Sequence, residues 1–100
     1  MNRTQKPFAE SASAILRERG ISGRGLAEQV GVHYTHMAKL LRGAKPPSQH
    51  LLEAVTLALE LPPDYFCEVR EFLIAEAVGA DPTLRDRLYD EISSRRRSGR

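Results

Sequence analysis

The chain has 100 residues, 41% of them hydrophobic, which suits one compact domain and is ordinary for a folded protein. No apolar run approaches the ~20 residues that span a bilayer, the N-terminus is too polar for a secretory signal, and the single cysteine excludes an internal disulfide framework; we therefore expect a cytoplasmic protein. The formal net charge of +2 indicates no class of partner by itself.

The first predicted helix runs from about residue 7 to residue 19. Pro7 suits a first helical turn and Gly20 suits a helix end, because proline fixes φ and glycine tolerates positive φ. The helical period places one apolar face toward the interior, made of Phe8, Ala12, Ile15 and Leu16.

Two short helices follow, over about residues 23–30 and 34–42, with a tight turn at Gly31-Val32 between them. Ser22 is a plausible N-cap of the first, and Leu26, Ala27 and Val30 form its apolar face. In the second helix Met37, Leu40 and Leu41 share one face. At about 100° per residue, Thr35, Lys39 and Arg42 lie on the opposite side.

The fourth predicted helix runs from about residue 48 to residue 60. Its apolar residues surround most of its circumference, which predicts a central, mostly buried helix. They are Leu51, Leu52, Val55, Leu57, Ala58 and Leu59. A rigid loop that contains Lys45, Pro46 and Pro47 precedes it.

Two more helices are predicted in the C-terminal third. The fifth covers about residues 63–78. The sixth begins after Asp81-Pro82, a capping acid followed by a first-turn proline, and it carries Leu84, Leu88 and Ile92 at intervals of four residues. Residues 94–100, which are rich in arginine, are predicted to be a disordered basic tail that either supplements nonspecific binding or simply solubilises the end.

An ordered set of residues across positions 8–66 carries a family resemblance. The set is Leu26-Ala27, Gly31-Val32, Met37, Leu40, Gly43, Lys45, Pro47, Leu52, Leu59, Leu61 and Pro63-Asp64-Tyr65-Phe66. In this pattern the chain resembles the Xre-type helix-turn-helix family, which includes the phage repressors and Cro. The resemblance implies an all-α fold: a five-helix repressor-like DNA-binding domain, with an additional C-terminal helix in this chain. Its DNA-binding core covers residues 1–66 and contains a helix-turn-helix pair at about 23–42.

The chain departs from the family pattern at three positions. The family often has Gln at the position of Gly23, where it braces a phosphate, Ser or Thr at that of His33, and Glu at that of Leu41. The phosphate contact of the family's Gln therefore does not carry over, and Arg24 is a candidate to replace it.

Helix 34–42 is expected to enter the major groove of double-stranded DNA, as the resemblance implies. The candidates for base contact are Tyr34, Thr35, His36 and Lys39, since Lys can bond guanine and the Thr methyl can pack on thymine. Tyr34 can instead bond a phosphate or pack beside Val32, and His36 can be a solvated surface residue.

The candidates for phosphate contact are Arg24, His33, Arg42 and Lys45. The alternative is a helix-capping role for His33 and a solvated surface charge for the other three. The charge distribution agrees with this placement. Residues 1–50 carry eight basic and three acidic residues, whereas residues 51–92 carry three basic and ten acidic residues. Such asymmetry is typical of a protein with one surface that meets phosphates and another that does not.

Residues 63–93 supply more apolar surface than a cap on the core needs, and we predict that they form a homodimer interface. Packing on the chain's own core is the alternative. The predicted interface residues are Phe66, Val69, Phe72, Leu73, Leu84, Leu88 and Ile92. A two-fold dimer predicts an inverted-repeat operator.

Catalytic and metal-binding motifs are absent from the sequence. It has no glycine-rich phosphate loop, nucleophile elbow or zinc-protease helix, and its three His and one Cys do not form a zinc-ligand pattern. We therefore expect neither an enzyme nor a metal or other cofactor. Two functions remain open. The first is a transcriptional regulator of bacterial or phage type that acts at the nucleoid, as a repressor rather than an activator. The second is an antitoxin-type module whose C-terminal helices bind a protein partner.

Overall fold

The computed structural model describes residues 2–98, and within them the chain is entirely helical, as predicted. The six helices are α1 (Phe8–Arg19), α2 (Gly23–Val30), α3 (Tyr34–Leu41), α4 (Gln49–Ala58), α5 (Cys67–Ala80) and α6 (Pro82–Ser98). The chain divides into two compact units, an N-terminal unit that ends at Arg70 and a C-terminal unit that begins at Glu71, so the boundary falls inside α5.

The N-terminal unit is built around a single apolar core that every one of its helices supplies. Its fully buried large side chains are Phe8, Leu26, Met37, Leu40, Leu52, Val55, Leu59 and Phe66. The predicted inner face of α1 is confirmed, because all four of its residues are buried. The helix also ends at Gly20 as predicted, in the left-handed conformation at φ 67°.

Helix α4 is less buried than the predicted central, mostly buried helix. Ser48 caps it, accepting a hydrogen bond from the Leu51 amide at 3.1 Å, and its inner face is buried. Leu57, however, is 82% exposed. At about 100° per residue Leu57 lies on the side of α4 away from Leu52 and Val55, and the core covers only that other side.

The fifth helix begins four residues later than predicted. Pro62 and Pro63 form a turn instead, in which the Tyr65 amide donates to the Pro62 carbonyl at 3.0 Å. The carbonyls of Asp64 and Tyr65 accept hydrogen bonds at 2.9 Å from Arg70 Nη1 and the Thr4 amide, respectively, and the helix begins only after them, at Cys67. Phe66, just before it, packs its ring 4.9 Å from that of Phe8.

The N-terminal segment ahead of α1 is fastened to the start of α5. The Thr4 amide donates to the Tyr65 carbonyl at 2.9 Å, and Arg70 Nη2 donates to the Thr4 carbonyl at 2.9 Å. The carboxylate of Glu68 accepts from the Phe8 amide at 2.7 Å and so caps α1. These bonds join residues about sixty positions apart and close the N-terminal unit.

The C-terminal unit consists of the last ten residues of α5, together with α6. Asp81 caps α6 as predicted, since its Oδ1 accepts from the Leu84 amide at 3.1 Å. None of residues 71–97 is buried.

The prediction of a disordered tail over residues 94–100 is wrong for 94–98, which continue α6; residues 99 and 100 lie outside the described part. The Glu91–Arg95 pair at 2.7 Å and the three arginines of the last turn favour this helix end, because cations are stabilised at a helix C-terminus. Within residues 2–98 none of the helices combines the length and the hydropathy that a membrane span requires.

Candidate nucleic-acid interface

Helices α2 and α3 are joined by a turn whose geometry follows from its sequence. Ser22 caps α2, accepting from the Gly25 amide at 2.9 Å. Gly31 ends the helix in the left-handed conformation at φ 76°, where a side chain would be strained. The Val32 amide then donates to the Ala27 carbonyl at 3.0 Å, which fixes the direction in which the chain enters α3.

Helix α3 has one buried side and one exposed side, as the sequence pattern predicts. Met37 and Leu40 are buried in the core. Tyr34, Thr35 and Lys39 are exposed, Tyr34 to 47% of its surface, and His36 is partly buried. Ala38 is also exposed on this helix and is not among the residues predicted from the sequence. It lies four residues after Tyr34, and this spacing indicates that the two residues share one side of the helix.

His33 is the N-cap of α3. Its Nδ1 accepts a hydrogen bond from the Thr35 amide at 3.1 Å, the role that Ser or Thr has in the family pattern. Because Nδ1 accepts this bond, the neutral ring carries its proton on Nε2. The cap therefore leaves His33 with an N–H donor at the beginning of α3.

Three of the predicted contact residues form one stacked group. The guanidinium carbon of Arg24 lies 4.2 Å from the ring centroid of Tyr34, a cation–π contact between α2 and α3. The ring of His33 stacks on that of Tyr34 with centroids 4.9 Å apart and planes 29° apart. We call Arg24, His33 and Tyr34 the aromatic group. It holds a cation and an imidazole donor at the head of α3.

Two of the departures from the family pattern meet each other. A Cβ on Gly23 would lie 3.2 Å from Cδ1 of Leu41, closer than most Cβ contacts. The missing side chain on α2 and the apolar residue on α3 are thus one packing arrangement. Ser13 supports the same end of α3, since its hydroxyl donates to the Leu41 carbonyl at 3.1 Å.

The other two predicted phosphate contacts follow α3. Arg42 is its C-cap and is exposed, and Lys45 is exposed in the loop beyond. Between them Gly43 has φ 77°, and the Ala44 amide donates to the Lys39 carbonyl at 2.9 Å. Residues 22–45 carry four basic residues and one acidic residue, so this segment is electropositive.

The predicted dimer residues fall into two groups. Phe66 is 0% and Val69 8% exposed in the core of the N-terminal unit, so both are core residues and the prediction that they form an interface is corrected. Sequence spacing alone could not separate these two residues from the apolar residues that follow them, because Phe66 packs on the ring of Phe8, which is remote in sequence.

The remaining predicted interface residues all lie in the C-terminal unit. Phe72, Leu73 and Ile92 are exposed, and Leu84 and Leu88 are partly buried. Ile74 and Tyr89 are exposed beside them in the sequence and were not among the predicted interface residues. Five of the seven large hydrophobic residues that are exposed in the described part of the chain thus lie in this unit.

Metal-ligating side chains do not gather in groups of three or more within residues 2–98. Comparison of the chain with protein-family models, with curated proteins and with solved structures found no match. The function is therefore inferred from the residues themselves.

Proposed function

We propose that the chain is a sequence-specific DNA-binding transcriptional regulator, most simply a repressor, that places α3 in the major groove of duplex DNA. The observation that carries the proposal is the division of α3: Met37 and Leu40 anchor it in the core, while Tyr34, Thr35 and Lys39 are exposed. A helix held from behind in this way can offer its other side to base edges.

The exposed residues of α3 have side chains suited to base edges. Lys39 can bond O6 or N7 of guanine, and the methyl groups of Thr35 and Ala38 can pack on the thymine methyl. Tyr34 and His36, nearer the N-terminal end, complete the proposed reading surface. A recognition helix contacts bases chiefly through its N-terminal residues, which is where the aromatic group lies.

The proposed phosphate contacts surround this surface. Arg24 and the Nε2–H of His33 lie at the head of α3, and Arg42 and Lys45 lie at its end. Cations and N–H donors at the two ends of a helix can engage phosphates on either side of the groove and so fix its register. Because Arg24 stacks on Tyr34, the proposed phosphate contact lies directly beside the first residue of the proposed base-reading surface.

The protein acts as a homodimer in this proposal. One recognition helix of eight residues reaches only a few base pairs, whereas two copies ~34 Å apart read two half-sites on one side of the duplex. The exposed apolar residues of the C-terminal unit support the pairing, because no residue within 71–97 is buried by the chain itself. The expected operator is an inverted repeat.

Selection of bound sequences from random duplex DNA tests this function. We expect an inverted repeat with half-site centres about 10 base pairs apart. Lys39→Ala should lose the preference at one position of each half-site and weaken operator binding by about 1–3 kcal/mol. Arg87→Ala, which removes an exposed arginine of α6, is the control and should select the same operator. Recovery of no common sequence by the unaltered protein would reject the proposal.

A protein-interaction module of the antitoxin type is the second candidate. The exposed run Phe72, Leu73 and Ile74 on α5 favours it, since such residues bind partner proteins as well as second copies. Sedimentation equilibrium of the purified protein separates the two candidates. A chain that stays monomeric at all concentrations and selects no DNA sequence would favour the second.

A further inference from the structure

One face of α6 has a symmetry that the proposed dimer leaves unexplained. At about 100° per residue, Leu84, Leu88, Ile92 and Arg95 of α6 fall within an arc of about 80°, and so does the capping residue that precedes the helix, Asp81. We call these five residues the α6 stripe. Their spacing reads the same in both directions from Leu88, which lies at the centre, with steps of four and then three residues on either side.

The two ends of the α6 stripe lie at equal distances from Leu88 and carry opposite charges. Asp81 stands at the N-terminal end and Arg95 at the C-terminal end, each seven positions from Leu88. The end of the helix repeats this polarity, because Arg95, Arg96 and Arg97 occupy the last turn. An antiparallel second copy would place each acid beside a base, whereas a parallel copy would place acid beside acid and base beside base.

We propose that a second copy of this chain docks on α6 in antiparallel orientation, with Leu88 on the two-fold axis. Leu84 then packs on Ile92 of the other copy and Asp81 pairs with its Arg95. This inference deepens the proposed homodimer and rests on it. The stripe is complementary to itself, which favours a second copy over an unrelated protein as its occupant.

The bond that Asp81 already makes is compatible with this pairing. Asp81 uses Oδ1 for the Leu84 amide, and a carboxylate has two oxygens. The antiparallel arrangement also opposes the two helix dipoles, which the parallel arrangement would align.

Cysteine cross-linking distinguishes the orientations. In a Cys67→Ser background, which keeps a donor at residue 67, we would prepare Leu84→Cys, Leu88→Cys and Ile92→Cys, with a size tag on Ile92→Cys. After mild oxidation Leu88→Cys should cross-link to itself. Leu84→Cys mixed with tagged Ile92→Cys should form the mixed dimer in excess of either self-linked product. Leu57→Cys, on the exposed side of α4, is the control for random collision.

Two cross-linking results would overturn the inference. Self-linking of Leu84→Cys and of Ile92→Cys, without the mixed product, would show parallel pairing. Cross-linking of all three variants no faster than Leu57→Cys would show that α6 does not meet a second copy. An inverted-repeat operator selected together with either result would leave the proposed function standing, so the two failures are distinguishable.

Sedimentation equilibrium of single substitutions provides an independent test. Leu88→Glu should abolish the dimer, while Leu57→Glu, which introduces the same charge at an exposed leucine of α4, should leave it intact. Asp81→Asn keeps a good capping residue but removes the charge, and it should raise the dimer Kd about threefold in low salt and much less in high salt. A Leu88→Glu protein that dimerises as well as the unaltered chain would overturn the inference.

Discussion

The two units of the chain use their apolar residues in opposite ways. The N-terminal unit buries fifteen hydrophobic residues in one core, while residues 71–97, although they include Phe72, Leu73 and Ile74, bury none. Burial of apolar surface is the main favourable term in folding, so the first unit has what it needs to be stable alone. The second has helices and caps but no core, and we infer that association completes it.

The largest test of this comparison is truncation of a leucine in each unit. Leu52→Ala removes a fully buried side chain and should lower the free energy of unfolding by about 2–5 kcal/mol. Leu73→Ala removes one that is 51% exposed and should cost about 0.5 kcal/mol or less in the monomer. Urea denaturation of dilute protein measures both. Equal losses would show that the C-terminal unit has a core of its own.

The next prediction concerns the cap of α3. His33→Ala removes the acceptor of the Thr35 amide and should destabilise the protein by about 1 kcal/mol. His33→Asn replaces it with another capping residue and should restore that stability. The Asn side chain also has an N–H donor, but it ends closer to the backbone than the imidazole Nε2, so both variants should bind operator DNA more weakly. Full recovery of binding by the Asn variant would limit His33 to capping.

The positive charge at the C-terminal end of α3 should strengthen binding to all DNA sequences equally. Arg42→Ala should lower the steepness of log K against log salt concentration by about 0.9, because one fewer counterion is released, and it should leave the selected operator unchanged. Arg87→Ala, which removes an exposed arginine of the C-terminal unit outside the arginine-rich tail, is the matched control and should keep the slope. Fluorescence anisotropy at several salt concentrations measures the slope. Equal slopes for Arg42→Ala and the unaltered protein would remove the proposed phosphate contact.

The smallest effect on stability is expected at the ion pair between the N-terminal segment and the turn before α5. The hydrogen bond from Arg3 Nε to Asp64 Oδ2, at 2.8 Å, lowers the pKa of the Asp64 carboxyl below its ordinary value of 3.8. The pair therefore contributes stability that is present above about pH 4 and lost as the pH falls through the lowered pKa. Arg3→Ala should return the pKa of Asp64 toward 3.8, as measured by carboxyl NMR titration; an unchanged titration would contradict this cause.

Sequence reasoning succeeded where the signal was local. Gly20, Gly31 and Asp81 each end or begin a helix through their own backbone or side-chain chemistry, and the structure confirms all three. The division of α3 into buried and exposed sides also followed from spacing, since Met37 and Leu40 lie one turn apart. The all-α class follows from signals of this kind.

The predictions that failed depend on contacts between different elements of the fold. The sequence predicts Phe66 as an interface residue, but its ring packs on that of Phe8, fifty-eight positions earlier. Leu57 is exposed although the sequence predicts a mostly buried helix. The helical period shows which residues are apolar, but it does not show which side of the helix the other helices cover. The stacking of Arg24 on Tyr34 depends on how α2 and α3 pack, which neither helix shows by itself. Contacts of this kind lie between elements and are invisible to spacing.

The central claim is that α3 meets DNA and that the C-terminal unit meets another copy. Amide chemical-shift mapping of the dimeric protein on addition of its selected duplex tests this most directly. The account predicts the largest shifts at the aromatic group and at Thr35, Ala38 and Lys39, with the residues of the α6 stripe nearly unchanged. Shifts confined to α5 and α6, with those of α3 unmoved, would contradict it.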